Sequence, residues 1–284
     1  MEQRILVIGA TGMLGKPVSL QLHTDGFKVK VLARDPERAK NKLGNGFEIV
    51  AGNVTDPGSL MSAMDDCDCV HINLSSSTFK ELHDVEYRGS LNIIRAAVSK
   101  QLKRLTIITG AGVRKENTWA PMIRTRYHIE KEIISSGVPY TIFAPTHFME
   151  SIPKYIKGDR ALIFGRQPHK IHWVAAADYA KMVSHAFQRK DTENKKFWIM
   201  GPEAFTMEEA ITMYCKVKCP GISISRIPLS MMGFMATITF KSQFKYVVKT
   251  MKYFNKAGET GDPQEANELL GKPITTMSMW LNEK

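Results

Sequence analysis

The chain has 284 residues, 43% of them hydrophobic and 24% charged, with a formal net charge of +11. That is ordinary globular composition with length for a large core, and it suits one large α/β domain carrying a smaller lobe. Cys67, Cys69, Cys215 and Cys219 lack the two-residue spacing of a zinc knuckle or redox pair, so reduced thiols are expected and a metal site is not.

The first element is a strand over residues 4–8, followed by Gly9-Ala10-Thr11-Gly12-Met13-Leu14-Gly15 and a helix over 16–23. Strand, glycine turn and helix together make the glycine spacing meaningful. Gly9 permits the tight turn, Gly12 leaves room for a pyrophosphate against the backbone, and Gly15 lets helix and strand pack closely. The N–H groups at the helix start then face the phosphates, with the helix dipole behind them. Thr11, Met13 and Leu14 complete this cofactor-binding turn.

A second strand over 28–32 runs into Ala33 and Arg34, with Arg38 one turn into a helix started by Asp35 and Pro36. A free ribose 2′-hydroxyl usually meets a carboxylate at this strand end, and a 2′-phosphate meets an arginine. Two guanidinium groups on one face make a phosphate clamp, so NADP(H) is expected ahead of NAD(H); Asp35 argues the other way. A third strand over 47–51 leads to Asn53 and Val54, where a polar residue reaches the adenine edge, and Asp56 caps a helix beginning at Pro57. The fourth strand, 69–74, ends at Leu74, Ser75 and Ser76, which either line the ribose and pyrophosphate or form a plain loop.

A helix over 86–99, a fifth strand over 105–108, a helix over 121–136 and a sixth strand over 140–143 follow. This alternation argues a doubly wound parallel sheet, with its ligand beyond the C-terminal ends of the strands. The nicotinamide is expected near Thr109 and Gly110 and the stretch Pro145, Thr146, His147 and Phe148, which lie at two such ends. Residues 161–164 and 170–174 read as a short β pair, Asp178 as the cap of a helix over 179–188, and 197–200 as a last strand. Thr206 and Glu209 form a capping box on a helix running to Lys216, and 222–227 reads as a strand of the small lobe.

Met231, Met232, Phe234 and Met235 make either a lipophilic roof over a substrate or the lobe's own core. Lys241, Lys245, Lys249, Lys252 and Lys256 repeat at helical spacing, with Phe240, Phe244, Val247, Met251 and Phe254 on another face. This basic amphipathic helix, 241–256, leaves its lysines either solvated or directed at an anionic membrane or acidic partner. Residues 228–240, the longest mostly apolar stretch in the C-terminal part, fall short of the ~20 that span a bilayer. No apolar targeting segment precedes the first strand, so a cytoplasmic protein is expected. No nucleic-acid motif and no basic–aromatic platform is present, so no nucleic-acid partner is expected.

The chain resembles the NmrA-like group of atypical short-chain dehydrogenases/reductases. The matching pieces are GATGMLG from Gly9, VLARDPERA from Val31, GNVTD from Gly52, SSGVPYTIFAPTHFME from Ser135, HWVAAADYA ending in Ala180 and GETGDPQEANELLG from Gly258. The resemblance implies a Rossmann domain over 1–150, a small substrate lobe over 151–284 with segments returning to that domain, and bound NADP(H). It also implies reduction of a small apolar carbonyl, enone or quinone; the alternative within the group is a non-catalytic NADP(H)-responsive regulator or assembly factor. The wider family pairs a tyrosine that donates a proton with a lysine four residues on, a spacing met by Tyr127 and Lys131. Counted back from Gly137, however, the family register falls on Glu130, Arg126 and Met122, which puts Arg126 in the lysine's place against the cofactor.

Overall fold

The computed structural model describes residues 3–238 and 242–283, without the side chains of 235–238 and 242; Phe240, Lys241 and the Met235 side chain lie outside the described residues. The first half alternates as β1 (Arg4–Ile8), α1 (Gly15–Thr24), β2 (Lys28–Ala33), α2 (Pro36–Leu43), β3 (Glu48–Ala51), α3 (Pro57–Ala63), β4 (Cys69–Ile72), α4 (Phe79–Glu81), α5 (Gly89–Ser99), β5 (Arg104–Ile108), α6 (Pro121–Ser135) and β6 (Tyr140–Pro145). The second half holds β7 (His147–Phe148), β8 (Ile156–Lys157), β9 (Arg160–Phe164), β10 (Ile171–Val174), α7 (Ala176–Gln188), β11 (Lys195–Ile199), β12 (Ala204–Phe205), α8 (Met207–Lys218), β13 (Ser223–Ile227), α9 (Leu229–Ile238), α10 (Ser242–Lys256), α11 (Gln264–Leu270) and α12 (Met277–Asn282).

Seven strands form a parallel sheet in the order β11-β6-β5-β4-β1-β2-β3, a Rossmann-like doubly wound arrangement. Ile5, Leu6, Val7 and Ile8 are all but fully buried, as a central parallel strand covered on both faces must be. One face packs on Val18 and Leu22 of α1, Tyr179 and Val183 of α7 and Leu270 of α11. The other packs on Leu60 of α3, Ile93 of α5 and Ile129 and Ile133 of α6. The chain beyond residue 150 thus supplies an edge strand and a covering helix to this sheet as well as a separate core around Met149, Ile152, Trp173, Ile211 and Met277. Strand order reverses between β1 and β4, which opens a crevice at their C-terminal ends.

The caps read from the sequence are made as expected on α2, α3 and α8. Asp35 Oδ1 accepts from Arg38 N at 3.0 Å, Asp56 Oδ1 from Gly58 N at 2.9 Å, and Thr206 and Glu209 bond reciprocally. Two expectations are corrected. Residues 160–164 and 171–174 do not pair with each other: β9 lies between β8 and β13, and β10 between β7 and β12. The turn between them carries Gly165 and Gln167 at positive φ, and Asn255 Oδ1 accepts both Arg166 N and Gln167 N, so the chain turns outward into another sheet. Asp178 does not cap a helix at 179. The helix α7 starts at Ala176, whose N–H donates to Glu150 Oε1 at 2.9 Å. The Asp178 carboxylate, buried inside the first turn, accepts from Ile274 N and Thr275 N instead.

The helix expected over 86–99 begins earlier. From α4 the chain passes without a break through a π-helical segment, Leu82–Arg88, into α5. Wide turns of this kind accompany functional sites, because the extra residue re-aims side chains. Here the segment carries Glu86, which is buried.

Candidate functional site

The glycine turn after β1 is shaped by close backbone contacts. Gly9 sits at φ +81°, and a Cβ there would lie 2.1 Å from the Asn73 carbonyl oxygen; one on Gly15 would lie 2.1 Å from the Gly9 carbonyl oxygen. Gly12 is different. It is exposed, and a Cβ there would meet only the Gly9 carbonyl oxygen, at 3.2 Å. No side chain caps the N-terminus of α1. An open glycine before an uncapped helix start is the cradle that a diphosphate fits, with donors and the dipole directed at it.

From this turn a cleft of about 350 Å³ runs along the C-terminal edge of the sheet. Of the residues expected at the cofactor, Met13, Leu14, Leu74, Ser75, Thr109, Gly110, Arg126, Pro145, Thr146 and Phe148 line it together. Gly9, Thr11, Gly12 and Gly15 form the turn at its end. Arg34 and Arg38 are exposed beyond β2, and Asn53 Oδ1 accepts from Thr55 N within its own loop. Val54 is buried, and Ser76 turns into a hydrogen-bonded network behind the wall.

Tyr127 and Lys131 are not among the residues lining the cleft. Tyr127 packs beside Met122 and Ile123, and the exposed Lys131 places its ammonium 5.7 Å from the Tyr127 ring centre. Arg126, one residue earlier on α6, does reach the cleft, as the register counted from Gly137 implied.

Behind Thr109 lie two ion pairs. Glu86 accepts from Ser76 Oγ at 2.6 Å and from Arg126 Nε at 3.2 Å, and Ser76 in turn meets Tyr246 Oη at 3.0 Å. Arg126 also donates to the Thr109 carbonyl at 3.1 Å, and Glu86 beside it raises the guanidinium pKa further. On the other side the Thr109 hydroxyl donates to Glu130 Oε1 at 2.7 Å, while Lys196 Nζ bonds Glu130 Oε2 and the Val113 carbonyl, each at 2.8 Å. Burial pushes the Glu130 carboxyl up, and the Lys196 ammonium opposes it. Thr109 is therefore held by both its carbonyl and its hydroxyl. That rigidity positions a cleft floor residue.

The far wall comes mostly from parts of the chain not assigned to the site from sequence; His147 belongs to the stretch 145–148 already expected there. Tyr253 and Phe254 of α10, Tyr155, Ile171, His147 and Glu259 all line the cleft. Gly112 allows Tyr253 to seat: a Cβ there would lie 1.6 Å from Tyr253 Oη. Glu259 Oε2 pairs with His172 Nδ1 at 2.6 Å, which fastens the segment after α10 onto β10. His147 packs between Trp173 and Phe254, and burial lowers its pKa to about 4, so it is neutral at pH 7. The GETGDPQ stretch and the aromatic face of α10 were the available signals for this wall.

Met231, Met232 and Phe234 do not form the roof. Met232 is buried with Val248 in a separate small cluster, Met231 and Phe234 are exposed, and none of the three lines the cleft. The roof is α10, because its aromatic face is the one turned inward.

Comparison with known proteins agrees with this architecture. The photosystem II assembly factor Ycf39 of Synechocystis is 26% identical over 99% of this chain and 90% of its own. A NAD(P)H azoreductase of Xenophilus azovorans is 27% identical over 72% of this chain and 70% of its own. Among solved structures, an NADPH-dependent quinone oxidoreductase of Escherichia coli complexed with NADPH superposes with a TM-score of 0.77 at 19% identity, covering 98% of both chains. A nucleoside-diphosphate-sugar epimerase of Staphylococcus aureus superposes with a TM-score of 0.80 at 17% identity, covering 100% of both chains. The NmrA-like family matches residues 1–281, and the chain belongs to that family.

Proposed function

We propose that this protein binds NADPH and reduces a small, largely apolar carbonyl, enone or quinone. The observation that carries the reading is the single cleft joining the glycine turn to an aromatic wall. Its volume and mostly apolar lining with a few fixed polar groups are those of a small-molecule site. The azoreductase and quinone oxidoreductase relatives support the same class of chemistry.

The α1 N-terminus and Gly12 would hold the diphosphate. Arg34 and Arg38 would hold a 2′-phosphate; Asp35, the carboxylate that would favour a free 2′-hydroxyl, is engaged as the cap of α2. Bound dinucleotide supplies the hydride. Arg126, held by Glu86 and the Thr109 carbonyl, would orient the nicotinamide half from below. Phe148, Tyr253 and Phe254 would exclude water and press a flat acceptor against it. With Tyr127 and Lys131 outside the lining, that tyrosine–lysine pair does not serve this cleft, and electron-poor acceptors, which take a hydride with little help from a proton donor, suit it best.

A second reading, a dinucleotide-binding assembly factor without turnover, has its own support in the near full-length match to the photosystem II assembly factor. One experiment separates the two: quinones, enones and azo compounds are offered with NADPH or NADH, and nicotinamide absorbance is followed. Turnover of at least one acceptor with NADPH preferred supports the reductase. Tight NADPH binding with no turnover across the panel supports the second reading.

A further inference from the structure

The stretch that ends in the cleft roof, α10, has an unusual charge pattern. Between Glu209 and Glu259 there is no aspartate or glutamate, while Lys216, Lys218, Arg226 and the five lysines from Lys241 to Lys256 all fall there. Much of the +11 formal charge is thus carried by one lobe segment. In α10, Lys245, Lys249, Lys252 and Lys256 are exposed, and Tyr246, Val248, Met251 and Tyr253 are buried. Lys245, Lys249 and Lys252 have no ion-pair partner among the described residues. Lys256 places its ammonium 5.1 Å from the ring centre of Trp119, itself 45% exposed.

Beside this stripe lies α9, which packs on α10 and has no charged residue. Its Phe234 is 67% exposed and its Met231 47%. At the base of the two helices, Arg166 and Arg226 stand at a recess of about 430 Å³. Exposed large apolar groups on a single helix, next to a carboxylate-free row of lysines, form a surface that water alone does not favour. No helix among the described residues is long and apolar enough to cross a membrane.

We propose that the α9–α10 hairpin docks the protein on an anionic lipid bilayer. The lysines would lie against the headgroups, and Phe234, Met231 and Trp119 would enter the boundary between headgroups and acyl chains. Scattered aromatic and thioether side chains flanked by flexible lysines suit a lipid boundary, which demands no matching partner geometry. The inner face of the same α10 carries Tyr253 and Phe254, so docking would bring the cleft roof to the lipid surface. This proposal stands apart from turnover: it holds for a reductase and for a non-catalytic assembly factor alike.

The test is vesicle sedimentation of the full chain. Wild type is offered phosphatidylcholine vesicles and vesicles containing phosphatidylglycerol, at low and high salt. Binding is expected on the anionic vesicles only, and should weaken with salt. Replacing Lys245, Lys249 and Lys252 together by glutamate should reduce it at least about tenfold, since each lysine near such a surface contributes an appreciable share. Phe234→Ser should reduce it severalfold without removing the salt dependence. Unchanged melting and NADPH affinity in these surface variants would show that the fold is kept. Equal binding to neutral vesicles, no binding by folded wild type, undiminished binding by the triple variant, or binding only to RNA or an acidic polypeptide would each overturn the proposal.

Discussion

Gly12 and the arginine pair are single residues on which the cofactor reading can be tested. A Cβ on Gly12 meets a single protein atom, the Gly9 carbonyl oxygen at 3.2 Å, which a shift of a few tenths of an ångström relieves, so Gly12→Val should fold and yet obstruct the diphosphate. Wild type should gain about 2.7 kcal/mol at a free NADPH concentration of about 100 Kd, by mass action alone. The variant should show no ligand-induced rise in Tm; a normal rise would remove the glycine turn from the site. Replacing Arg34 and Arg38 with alanine should weaken NADPH by about 1–3 kcal/mol, the scale of charge-assisted hydrogen bonds, and leave NADH nearly unchanged. Calorimetry with both nucleotides reads this, and equal losses would rule out the clamp. His147 gives a third test. Its folded pKa of about 4 lies below the ordinary 6.5, so the unfolded chain binds more protons between those values. The contribution is fully present above about pH 6.5 and is lost progressively as pH falls toward 4. His147→Phe should flatten the acid side of a stability–pH curve; an unaltered slope would mean that His147 is hydrated in the folded protein.

Among the elements, the π-helical segment and α6 form a unit, because the Glu86–Arg126 pair joins them beneath the cleft. Arg126→Met would leave Glu86, only 3% exposed, without its cation. Removing one partner of a buried pair costs about 3–5 kcal/mol, and the low end applies here because the Arg126 side chain is 26% exposed. The double change with Glu86→Gln should recover much of that loss, since no unpaired charge remains. Urea unfolding of the two variants checks it; an equal loss in both would show that the pair is not coupled. Helix α7 shows how far a local reading can reach. Asp178 has the right residue type for a cap, but the N–H groups at the helix start found Glu150, 26 residues away in sequence. Asp178 was thereby left to hold the backbone at Ile274 and Thr275.

At the scale of the whole molecule, the sheet and the lobe are threaded through each other. Residues 176–199 return to the sheet as α7 and β11, and residues 258–260 return to the cleft beside β10. Stability and site geometry are coupled for this reason: Glu259 holds His172, whose neighbour Trp173 packs on His147 in the cleft wall. The positive charge is likewise a property of the whole. It accumulates on the roof hairpin, and the vesicle experiment measures what it attracts.

Local order was readable wherever neighbours in sequence also satisfy one another. The glycine turn, α1 and the caps at Asp35, Asp56 and Thr206 all close their hydrogen bonds within a few residues, so their residue types announce them, while β1, bonded to β2 and β4, shows itself by its unbroken apolar run. The parallel sheet followed from alternation, since parallel neighbours need a crossover between them. The partners of β9 and β10 did not follow, because a short strand can pair with any edge and the Asn255 clamp that parts these two comes from α10. The acceptor wall was hidden for the same reason. Tyr253, Phe254 and Glu259 reach the stretch around His147 only when long-range packing seats α10 over the sheet, and nothing near these three in sequence specifies that contact.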